Sequence, residues 1–124
     1  MNREIKFRAW DIDSSEMLYT DKDNNRNDFF FSFSEGYFEL YLSVENDYPD
    51  NRNIKLMQSS GIKDIDGISI YEGDLIKGYG NDAHEVIFAD GAYYLKKNNS
   101  SIRLSRTCGA LKIIGNIYEN PELL

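Results

Sequence analysis

Turn-forming residues interrupt this chain at roughly 8–12-residue intervals, and between them apolar residues alternate instead of recurring on a helical period. That rhythm restricts the possible folds more than any other feature. Runs this short cannot present the broad apolar stripe of a packed helix, but they suit strands buried on one face. Glu4–Trp10 sets Ile5, Phe7 and Ala9 against Lys6, Arg8 and Trp10, which predicts a half-buried strand. Tyr37–Val44 is the clearest case, with Phe38, Leu40, Leu42 and Val44 opposing Tyr37, Glu39, Tyr41 and Ser43. Between Glu85–Ala89 and Ala92–Lys96 stands Asp90-Gly91, and an Asp-Gly pair between alternating runs predicts a two-residue hairpin turn. Aromatic residues make up 14% of the chain and favour the same outcome, because flat rings pack well on a pleated surface.

The remaining segments extend the pattern. Asp11–Glu16 (DIDSSE) is turn chemistry, in which short Asx and Ser side chains bond their own backbone, and Met17–Thr20 returns to close a first hairpin. Asp21–Asp28 is wholly polar and reads as a loop. Phe29–Phe33 pairs naturally with the strand that begins at Tyr37. Glu45–Asn53 is a second polar loop, where Pro49 opposes a continuous strand. Ile54–Gln58 and Ile68–Tyr71 bracket SSGIKDIDG, read as a loop and turn. Glu72-Gly73-Asp74 leads into Leu75–Tyr79, and Leu111–Tyr118 is a closing strand stopped by Pro121. Asn98–Gly109 reads either as a loop or as one short helical turn capped by Asn99 or Ser100. The expected fold is mainly β: a small barrel- or sandwich-like single domain spanning residues 1–124, with at most short helical turns.

At 124 residues the chain is long enough for one domain with its own core. Its formal net charge of −7 argues against unspecific attraction to nucleic acid. No apolar run approaches the ~20 residues that cross a bilayer, and the first residues do not form a signal peptide. Cys108 has no partner for an internal disulfide. A cytoplasmic protein without a membrane partner is therefore expected.

No set of residues completes a reactive centre. Asp21, Asp23 and Asn25 occupy the first ligand positions of a calcium loop, but Arg26 replaces the required glycine and Ser32 the closing glutamate. His84 is the only histidine, beside Asp82 and Glu85, and general acid–base work would need such partners within hydrogen-bond reach. Cys108 lacks a base placed by the sequence. Gly78-Tyr79-Gly80 begins like a phosphate loop, without its third glycine or its helix. The expectation is a protein without catalytic residues, metal or cofactor.

Three blocks carry a family resemblance: REIKFRAWD at Arg3–Asp11, GIKDIDGISIYEGDLIK at Gly61–Lys77, and IIGNIYENPELL at Ile113–Leu124. With EVIFADGAYYL at Glu85–Leu95, they resemble the YopX family of phage and prophage proteins. Residues of about 21–53 match nothing in particular and read as a variable polar insert. The resemblance implies a β-rich fold and a phage or prophage origin, and it implies no particular activity.

Two functional expectations follow. The first is a non-enzymatic module of phage or prophage origin that binds a host or phage protein, or itself as a homo-oligomer, through Tyr37, Tyr41, Tyr71, Glu72 and Asp74. Tyrosine is enriched where chains meet, and acidic glycine turns like Tyr71–Asp74 occur in small SH3-like barrels that bind peptides or nucleic acid. The same tetrapeptide also reads as a turn device without a ligand, and the tyrosine row as cover for a second sheet. The alternative function is a single-stranded nucleic-acid-binding small barrel, with aromatic stacking and with Lys96, Lys97, Arg103 and Arg106 along the backbone.

Overall fold

The computed structural model of the chain describes residues 6–21, 26–34, 36–42, 54–77, 82–106 and 111–124, without the side chains of residues 20, 21, 26, 27, 30–34 and 37–42. The calcium-loop positions Asp23 and Asn25, the Gly78–Gly80 turn and Cys108 lie outside the described residues. The fold is mainly β, and the helical elements among the described residues are two 3-10 turns, Leu104–Arg106 and Pro121–Leu123. The residues divide into two compact units, one of Lys6–Met57 and one containing Gln58–Leu124.

In the N-terminal unit, β1 (Phe7–Asp11) and β2 (Glu16–Asp21) form the first hairpin, in register from Arg8↔Tyr19 to Asp11↔Glu16. Its turn works as the sequence predicts. Asp11 is buried, and its Oδ1 accepts the N–H groups of Asp13 (3.1 Å) and Ser14 (3.3 Å). β3 (Arg26–Asn27) pairs with the end of β2, and Asp28 locks the junction by accepting the Tyr19 N–H at 2.9 Å. β4 (Phe29–Ser34) and β5 (Tyr37–Leu42) form a second antiparallel hairpin, from Ser34↔Tyr37 to Phe29↔Leu42. Ala9 and Phe29 centre this unit's core, with Phe7, Leu18 and Ile54 packed on them. β1 departs from the expected half-buried strand: Arg8, Ala9, Trp10 and Asp11 are all buried. Alternation here marks two covered faces, the second carrying Arg8 and Trp10.

β6 (Ile54–Lys63) runs through the division between the units. It continues across Ser59-Ser60-Gly61, which the sequence suggests is a loop. Hydroxyls make this possible: Ser59 Oγ accepts the Gly61 N–H and Ser60 Oγ the Ile62 N–H, at 3.2 and 3.1 Å. They hold an irregularity between Ser59 and Lys63 where the strand pairs with β7 (Ser69–Tyr71). The rest of the C-terminal unit comprises β8 (Asp74–Lys77), β9 (Ala83–Ala89), β10 (Ala92–Lys97), β11 (Ser100–Arg103) and β12 (Lys112–Asn116). These five strands form one sheet in the order β11-β10-β9-β8-β12. Ile70, Ile76, Val86, Leu95, Leu104 and Leu111 form its core, joined by Ile62, Tyr93 and Ile113. The β9–β10 turn is Asp90-Gly91 as read, and both residues take positive φ (49° and 78°), as a type I′ hairpin turn demands.

Candidate interaction surface

The acidic turns within the resemblance blocks hold the C-terminal unit together. Asp74 is buried, and its Oδ2 accepts the Tyr71 N–H at 2.8 Å. Gly73, between them, donates its N–H to the Val86 carbonyl and accepts from Ile117, at 2.8 and 2.9 Å. Glu72 pairs with Gln58 through both its side chain and its backbone. Tyr71 and Asp74, expected at an interaction surface, thus lie in the interior and brace a turn. Glu72 is half-buried beside them.

Asp64 does comparable work for β12. Its Oδ1 accepts the N–H groups of Asp66 and Ile68, and its Oδ2 accepts that of Ile113, at 2.9, 3.0 and 3.2 Å. Burial opposes its charge, but the N–H groups of Ile68, Ile113 and Asp66, together with the Lys112 ammonium, outweigh that effect. They hold the carboxyl below its ordinary range. Lys112 also reaches Asp66 Oδ2 at 2.5 Å, and that hydrogen bond and charge raise the ammonium's pKa. Beyond β12, Asn116 Oδ1 accepts the N–H groups of Tyr118 and Glu119, and Asn120 Oδ1 accepts the Asn116 N–H. Asn116, five residues before Pro121, therefore ends the strand.

These bonds give the two edges of the C-terminal sheet different characters. At the β12 edge, the Ile113 N–H is capped by Asp64, the Leu111 carbonyl accepts from Ile65 at 2.9 Å, and the pairing with β8 breaks register between Ile113 and Gly115. At the β11 edge, all four residues are exposed. β11 pairs with β10 from Lys97↔Ser100 to Tyr94↔Arg103, through a two-residue Asn98-Asn99 turn. Leu95 lies in the core and faces Ile102, so Ile102 marks the core-side face, still 38% exposed. Tyr94 and Lys96 occupy the opposite face with Arg103 and Ser101.

The four expected basic contacts are therefore divided. Lys96 and Arg103 share a face, with Tyr94 beside both, although Glu85 stands directly across from Lys96. Lys97 alternates onto the other face and approaches Asp82 at 3.9 Å. Arg106 is exposed in the 3-10 turn after β11. Tyr37 and Tyr41 lie on β5, opposite Ser34 and Phe30, and their side chains are outside the described residues. His84 is half-buried in β9, with Nδ1 3.3 Å from the Asp82 carbonyl oxygen.

The family model of the YopX protein matches residues 6–124. The chain belongs to the YopX family. The crystal structure of protein EF1440 from Enterococcus faecalis is similar to it, with 31% sequence identity, 99% of each chain covered and a TM-score of 0.62. No curated protein matches the chain. In this YopX-family member the turns Asp64–Ile68, Tyr71–Asp74 and Asn116–Asn120, which carry much of the resemblance, are architectural. Sequence reasoning missed β11 because Asn98–Gly109 suggested a loop or helical turn. The signal was present in Asn98, which takes φ 54°, a conformation asparagine tolerates at a hairpin turn. The helical turn exists, but further on, at Leu104–Arg106.

Proposed function

We propose that this YopX-family protein is a non-enzymatic, β-rich interaction module of a phage or prophage. It acts in the bacterial cytoplasm by binding a host or phage protein or a second copy of itself. The observation that supports this reading is the contrast between the sheet's edges, since proteins normally blunt an edge strand to prevent pairing with other chains. β12 is blunted and β11 is exposed. Single-stranded nucleic-acid binding is a second reading, supported by Tyr94 lying on one face with Lys96 and Arg103.

The test is affinity purification of tagged protein from infected or induced cells, split into nuclease-treated and untreated halves. A specific protein recovered in both halves supports the module. Recovery lost with nuclease favours the second reading, as does binding of labelled oligonucleotides that weakens steeply with salt. A monomer that recovers neither sinks both.

A further inference from the structure

The β11 edge carries two chemistries on its two faces. Ile102 is exposed on the core-side face, while Arg103 stands on the other, where Lys96 lies across the short Ser101 side chain. Strands lie about 4.8 Å apart, so a strand added beside β11 would be within reach of Lys96 over Ser101. Arg106 adds a further exposed cation just past the strand. On this face Glu85 stands across from Lys96 on the side away from β11, so the cations lie nearest the edge in a chain of net charge −7.

We infer that β11 takes an extended segment of a partner protein by antiparallel or parallel strand addition, and that this segment alternates acidic and apolar residues. The inference rests on the interaction-module reading and specifies its partner. Main-chain hydrogen bonds would supply affinity, and the alternation would supply specificity. An acidic side chain meets Arg103 and Lys96, and the next residue meets Ile102. The hairpin fixes which peptide groups are available. Lys97 and Ser100 flank a two-residue turn and form a hydrogen-bonded pair, so the Ser101 amide points away from β10.

Fluorescence anisotropy with three labelled probes tests the inference: an alternating Glu/Val peptide, an alternating Lys/Val peptide, and a Glu/Val peptide with the two residue types in separate blocks. The alternating acidic peptide should bind, and the other two should bind at least ~10-fold more weakly, a difference of about 1.4 kcal/mol. Arg103→Glu should weaken the acidic peptide by a similar factor. Ser101→Pro should abolish binding with the urea midpoint unchanged, because proline at an outward amide leaves the ladder to β10 intact. Slowed exchange of the Ser101 and Arg103 amides in the unmodified protein gives a readout independent of either variant. Equal binding of all three peptides, or unchanged exchange at β11, overturns the inference, as does tighter binding of oligothymidylate than of the acidic peptide. If a nuclease-resistant partner is recovered equally by Ser101→Pro and by the unmodified protein, the edge inference fails while the module reading stands. If nothing nuclease-resistant is recovered and the protein is a monomer, the module reading fails as well.

Discussion

The two edges of the C-terminal sheet face the same physical problem and meet it differently. A strand with one side uncovered leaves every second peptide group without a ladder partner. At β12 the chain answers with a buried aspartate, a break in register and a succession of turns at Asn116. At β11 the described residues answer with brevity, a strand of four residues, and with charge at Arg103. The difference shows that the unit's acidic residues are not uniformly a solvated coat. Asp64 and Asp74 are structural acceptors, whereas Lys96 and Arg103 at the β11 edge are exposed.

Asp64→Ala should break that contrast most severely. It leaves the N–H groups of Asp66, Ile68 and Ile113 without their carboxylate, and should cost roughly 3 kcal/mol or more, read from urea unfolding. Gly115→Ala should follow, at about 1–3 kcal/mol, because an added Cβ would meet the Asn120 Oδ1 that accepts the Asn116 N–H. Asp64→Asn sharpens the electrostatic part, with an expected loss of about 1–2 kcal/mol at neutral pH. The Asp64 carboxyl is depressed in the folded state, so its contribution is fully present above the unfolded pKa near 3.8 and is lost as pH falls through the folded value. The gap between the two proteins should accordingly narrow in acid, measured as thermal midpoints across a pH series. The smallest effect belongs to the other edge. Arg103→Ala should change stability by no more than about 0.5 kcal/mol, and a larger loss would mean that β11 is held as firmly as β12.

Much of the fold was legible because alternation and turn chemistry are local. Asp90-Gly91, Asp11–Glu16 and the hairpin of the Phe29–Ser34 and Tyr37–Leu42 strands all declare themselves within a few residues. Misreadings arose where a side chain supplies what the backbone lacks. Ser59 and Ser60 carry β6 through a glycine that suggests a loop, because their hydroxyls accept amides two residues on, a local device that apolar alternation does not express. The candidate site was less legible. Tyr71–Asp74 looks the same in sequence whether its carboxylate accepts a neighbouring amide or a ligand, and burial decides between them. β11 becomes an edge only through the order of five strands, a long-range property that periodicity cannot express.

The Asn98-Asn99 turn has a consequence for how such a protein can change over generations. Side chains alternate across a strand, so a one-residue slip of β11 against β10 would exchange Ile102 and Arg103 between faces and disturb the packing of Leu104. Residues added within the turn lengthen the loop and leave that pairing in place. Register, and not hairpin length, is thus what this edge must keep, and homologous proteins that keep it are free to differ in the length of the turn while Ile102 and Arg103 stay on their faces.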